Sequence, residues 1–190
     1  MEQKEKQFIV LSREDLVTLQ QESAEIGARV ALEKLDKEKK QLYSKAIDKR
    51  LHNTKLLLRN YRMLKENADN SIFGRSQMKE SAADILCSMM NLYDDEVIVD
   101  AIKRSATRTA IIITHIDTML DIFQTYCEKS NNGLDGRRYE VLYDMYIIDK
   151  PLAVKEIAKK QNMSKENVYL DVKIAIERLS ALLFGVDGLR

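Results

Sequence analysis

"VKEIAKKQNMSKENVYLDVKIAIERL", residues 154–179, joins two short amphipathic stretches through a polar step. Read as helix, turn and helix, it makes the end of the chain a candidate reader of a DNA groove; read as ordinary packing, it is one more pair in a helical bundle. The local chemistry meets each requirement of the first reading. Ala158 is small enough for a second helix to cross the first, and neighbouring Ile157 points to a core. Asn162 stands in the turn, where left-handed backbone is needed and Asn is the best choice after Gly. Ser164 is an N-cap, and Val168, Val172, Ala175 and Leu179 give the second helix a sparse inward face.

That inward face leaves Lys165, Glu166, Asn167, Tyr169, Leu170 and Lys173 pointing outward, next to Ser164. Lys can read guanine and Asn can pair with adenine in a major groove, so Ser164 to Lys173 are the base-reading candidates. Tyr169 either touches a thymine methyl or sugar, or covers a neighbouring helix. Lys155, Lys159 and Lys160 on the first helix, with Arg137 and Arg138 at the entrance to the region, are candidates to neutralise phosphates and set the register.

Upstream, Pro151 closes a helix expected from about Arg137 to Ile148. Before that, "SNNGLDGRR" combines Asn-Gly and Asp-Gly, the clearest breaker in the chain, and marks a domain boundary: residues 1–134 against 135–190. In the first part, Ser12 and Asp15 form a helix-start signature. A long helix is expected over about 12–67, its apolar stripe too intermittent for an isolated coiled coil and therefore in need of a partner surface. A polar connector covers 66–80. A helix follows over about 81–93, then one over about 94–129 with Ile98, Ile102, Ser105, Thr109, Ile112, Ile116, Met119, Phe123 and Cys127 on its core face. Gly185 is the expected C-cap of the last helix. With 6 Gly, 1 Pro and no Trp, the chain lacks the punctuation of a strand-and-turn protein, and the expected class is all-α.

The net charge of +1 hides a division. Residues 1–65 carry 15 Lys and Arg against 10 Asp and Glu, residues 66–134 carry 6 against 11, and residues 135–190 carry 10 against 9. Residues 34–65 form a basic stretch with Lys55, Arg59 and Arg62 on one helical face: a second DNA-contacting surface, or the commoner solvated face. The short "FIVL" after the charged start is too brief for a signal-peptide core or a membrane span, which points to the cytoplasm. Cys87 and Cys127 read as buried free thiols in a reducing compartment. His115 and His52 read as packing residues, since no second ligand accompanies either, and neither a metal nor a cofactor is expected. No glycine-rich phosphate loop, HExxH or GxSxG is present, so catalysis is not expected.

The line "RRYEVLYDMYI...VKEIAKKQNMSKENVYLDVKIAIERLSALLFG" resembles the DNA-binding C-terminal region of bacterial sigma factors, and Val168, Ala175 and Leu179 keep its spacing of seven and eleven. With "NTKLLLRNYRMLKEN" and "HIDTMLDIFQTYCEKS", it resembles the sigma-like phage and prophage regulators of the RinA/ArpU type. Asn162 stands in place of the usual turn glycine, and Asp171 where sigma factors often carry an apolar residue. Elements that melt promoter DNA are not recognisable. The resemblance implies a transcriptional regulator in a bacterial host cell that binds upstream of phage late genes and acts on the host RNA polymerase. The partners expected are double-stranded DNA, host RNA polymerase and a second copy of the chain. The rival expectation is an interaction module that grips polymerase or another protein without reading DNA, motivated by the near-neutral end of the chain.

Overall fold

The structure, a computed structural model, describes residues 12–69, 81–92, 94–103, 106–130 and 132–185. The "FIVL" segment, most of the expected connector and Ser105 lie outside them. Seven helices and no strand are found among the described residues: α1 Arg13–Asp69, α2 Ala82–Met90, α3 Asp95–Lys103, α4 Ala106–Lys129, α5 Gly133–Tyr146, α6 Val154–Lys160 and α7 Lys165–Phe184. No described helix is long and apolar enough to cross a membrane.

Short polar side chains start most of these helices. The Ser12 and Ser81 hydroxyls accept from the Asp15 and Asp84 amides at 3.1 and 3.2 Å, and each aspartate accepts back from the serine amide at 3.0 Å. These bonds satisfy amides that a helix N-terminus leaves open, and they hold both carboxyls below their ordinary value. Asp94 caps α3 through the Glu96 amide at 2.9 Å, and Asn132 caps α5 through the Leu134 amide at 3.1 Å.

By contacts the chain divides into Met1–Lys45 and Ala46–Arg190. In the first unit every described residue, 12–45, is exposed, and all but Ser12 are helical. In the second, Leu56, Leu57, Leu58, Tyr61 and Leu64 of α1 join one buried core with residues from each of α2 to α7. There α4 packs on α2, α3, α5 and α7, so the helices on either side of residue 134 share that core.

Four expectations need correction. The helix expected over 94–129 is two helices, ending at Lys103 and starting again at Ala106. The buried Thr109 hydroxyl donates to the Ile102 carbonyl at 3.0 Å, supplying a partner to the end of α3 while α3 packs on α4. An unbroken 3.6-residue period could not reveal this, because the core face continues on both sides. Second, the Asn-Gly/Asp-Gly stretch is a helix start: α5 begins at Gly133, capped by Asn132 and fastened by the buried Asp135. Third, Cys87 is exposed, whereas Cys127 is buried as expected. Burial raises the Cys127 thiol, with the neighbouring Asp135 charge adding to it against Arg178. Fourth, His52 is an exposed partner of Asp95 at 2.6 Å and not a packing residue, while half-buried His115 lies 3.3 Å from the Leu183 carbonyl.

Candidate nucleic-acid interface

The turn between α6 and α7 is built from backbone bonds around one left-handed residue. Asn162 has φ 49°, the positive value that its residue type tolerates. Its amide donates to the Lys159 carbonyl at 3.4 Å, and the Met163 amide reaches the Ala158 carbonyl at 2.9 Å. This pair of reversed bonds closes the C-terminus of α6 and turns the chain at once into the Ser164 cap. The Ser164 hydroxyl accepts from the Asn167 amide at 3.2 Å. The Glu166 carboxylate bonds its own amide and Ser164, which hold it below its ordinary value. At the other end of α6, Glu156 accepts from the Ala153 amide at 2.7 Å.

Ile157 and Ala158 of α6 and Val168, Val172, Ala175, Ile176 and Leu179 of α7 are buried, and Val168, Ala175 and Leu179 have no exposed surface. Full burial of a valine or leucine is worth about 1.5–3 kcal/mol, so α7 is held firmly from behind. A charged network adds direction to this apolar seating. Asp171, nearly buried on α7, receives Arg137 Nε at 2.7 Å and faces Arg138 Nε at 3.6 Å. Arg138 also reaches the buried Asp135 at 3.1 Å, and Arg178 of α7 reaches it at 2.6 Å. Burial raises the Asp135 carboxyl, but bonds from Arg178 and Ser130 and the charges of both arginines outweigh it and leave the group below its ordinary value. Five charged side chains therefore tie α5 to α7.

This network relocates two residues whose sequence position suggested phosphate contact. Arg137, a third exposed, and Arg138, largely buried, both pair with carboxylates in the protein interior, where removal of a buried partner costs far more than a surface ion pair contributes. Lys160 is also engaged, 2.6 Å from the buried Asp144. Lys155 and Lys159 are exposed and make no ion pair among the described residues. Sequence reasoning missed Asp135, Asp144 and Asp171 as buried anchors. One signal was available: Asp171 falls between Val168 and Val172 on the inward side of the helical wheel.

The base-reading candidates stay together on the open side of α7. Ser164, Lys165, Glu166, Asn167, Tyr169, Leu170 and Lys173 are all exposed, Tyr169 by 62 % and Leu170 by 53 %. Lys165, Tyr169 and Lys173 follow one another at four-residue steps with Glu166 and Leu170 beside them, which makes one continuous stripe. Three buried carboxylates absorb Arg137, Arg138, Arg178 and Lys160, and Lys155, Lys159, Lys165 and Lys173 remain at the surface.

Elsewhere in the second unit, a groove of about 710 Å³ is lined by both signs of charge and by Tyr61, Tyr139 and Tyr143. Tyr61 donates to Asp117 at 2.5 Å, and burial followed by that bond pushes its phenol up to about 12. Among the described residues, no group of three His, Cys, Asp or Glu side chains is arranged to hold a metal ion. Comparison with protein-family models, curated proteins and solved structures gives no match for this chain.

Proposed function

We propose that residues from α5 onward form a helix-turn-helix that reads duplex DNA with the outward stripe of α7, as part of a dimeric transcriptional regulator. One observation carries this reading. Tyr169 and Leu170, large side chains that water does not favour, are held out between Lys165 and Lys173 on a helix whose back is locked by burial and by buried ion pairs. A rigid helix presenting cations beside apolar groups suits a major groove, where cations meet acceptor edges and apolar atoms meet thymine methyls. Lys155 and Lys159 on α6 are placed for phosphates, as the first helix of such a pair crosses the backbone.

The likeness to sigma-like phage regulators of the RinA/ArpU type supports a narrower role, control of phage or prophage late genes together with the host RNA polymerase. Random-site selection with the purified protein tests the DNA reading. An enriched motif supports it, and no enrichment refutes it. A second reading, a module that grips polymerase or another protein without touching DNA, is favoured by the same exposed Tyr169 and Leu170 and by the acidic residues Glu156 and Glu166 near the lysines. Salt separates the two: contacts with phosphates weaken steeply from low to moderate salt, and an apolar protein contact hardly responds.

A further inference from the structure

The exposed unit from Ser12 to Lys45 contains a second stripe that DNA reading does not use. Val17, Ala24, Ala28, Ala31, Leu35 and Leu42 follow alternating four- and three-residue steps with two polar interruptions, and so fall on one side of α1. All are exposed, Val17 by 49 %, Leu35 by 61 % and Leu42 by 69 %. A lone helix in water gains nothing from such a seam. The other apolar stripe of this unit, Leu16, Leu19, Ile26 and Val30, stops there, since its next seam positions are Glu33, Lys37 and Lys40.

We infer that this seam pairs with the same seam of a second copy in antiparallel orientation, about a two-fold axis midway between Ala28 and Ala31. The pairing follows from size and charge. With Ala28 set opposite Ala31, Ala24 falls opposite Leu35 and Val17 opposite Leu42, so two alanines let the helices approach closely at the centre and larger side chains close the layers toward each end. The same register sets Gln21 against Glu38 and Glu14 against Lys45, an opposite-charge pair at each end. A parallel pair would instead stack Glu14 on Glu14, Glu38 on Glu38 and Lys45 on Lys45, like charges within the seam itself. Self-complementary contact about a two-fold is the commonest form of homodimer.

The inference rests on the dimeric reading above and gives it an orientation. In a Cys87→Ser background, sedimentation velocity shows whether the full chain dimerises, and mild oxidation then maps the pairing. Val17→Cys alone and Leu42→Cys alone should give no disulfide dimer, because in the antiparallel pair like positions lie about 37 Å apart. An equimolar mixture of the two should give the 17–42 heterodisulfide. Glu14→Lys should weaken the dimer by about tenfold, and adding Lys45→Glu should restore it. A monomer at all concentrations overturns the dimer itself. A dimer that forms 17–17 or 42–42 disulfides, or fails to form 17–42, overturns the orientation. None of these readouts involves DNA, so they stand apart from failure of the DNA reading.

Discussion

Replacing Asp171 by Asn should destabilise the second unit strongly although it changes only a few atoms. The Asp171 side chain is 3 % exposed and faces two guanidinium groups, Arg137 Nε at 2.7 Å and Arg138 Nε at 3.6 Å. Losing the carboxylate leaves Arg138, itself 16 % exposed, with Asp135 alone and Arg137 without its partner. Breaking a buried pair costs about 3–5 kcal/mol, and because Arg137 is a third exposed and can turn to water, the lower end, about 3 kcal/mol, applies. For a unit of roughly 150 residues that is a fall in Tm of about 6–12 °C. Urea and thermal unfolding followed by helical circular dichroism measure it. The reverse deletion, Arg137→Gln, leaves the buried Asp171 carboxylate with Arg138 alone at 3.6 Å and should cost at least as much, about 3 kcal/mol, and should leave the salt dependence of DNA binding unchanged. A loss below about 1 kcal/mol for Asp171→Asn, with a reduced salt slope for Arg137→Gln, would mean that Arg137 serves phosphates and the network does not hold the helix.

Other consequences follow from single sites. Asn162→Gly should stabilise by about 0.5 kcal/mol, since glycine adopts the left-handed turn freely, and Asn162→Ala should destabilise by about 1 kcal/mol; chemical denaturation reads both, and equal effects of the two would refute the turn assignment. Asp135 has a carboxyl lowered in the folded state, so its contribution is complete above the unfolded value of about 4 and disappears as pH falls through the folded value. Asp135→Asn should therefore be less stable than the parent at pH 6 and show a flatter loss below about pH 4, whereas parallel curves would contradict the network. Thr109→Val should cost about 1 kcal/mol by stripping the Ile102 carbonyl of its partner, and no loss would remove the reason offered for the end of α3.

The parts of this fold that local chemistry dictates were legible in the chain. Asn162, Ser164 and the seam of Val168, Val172, Ala175 and Leu179 each depend on near neighbours, and each is found as expected. The outward stripe follows from that seam by elimination. What escaped depends on residues distant in sequence. Asp171 meets Arg137 across 34 residues and Arg178 meets Asp135 across the same helix pair, and no window along the chain reveals those encounters. The charges that suggested phosphate contact at Arg137 and Arg138 are real, but carboxylates in the protein interior claim them first. Turn signals were overridden in the same way: Asn-Gly and Asp-Gly favour a loop locally, yet a capping Asn132 and a buried Asp135 make the stretch the start of α5.

The face of α7 is tested most directly by fluorescence anisotropy on a selected duplex and on a scrambled duplex of equal length. The parent should prefer the selected duplex by about a thousandfold, and Tyr169→Ala and Lys173→Ala should each reduce that preference by about tenfold or more while helix content and Tm stay unchanged. Equal affinity of the parent for both duplexes, or a preference untouched by either substitution, would contradict the claim that this surface reads bases.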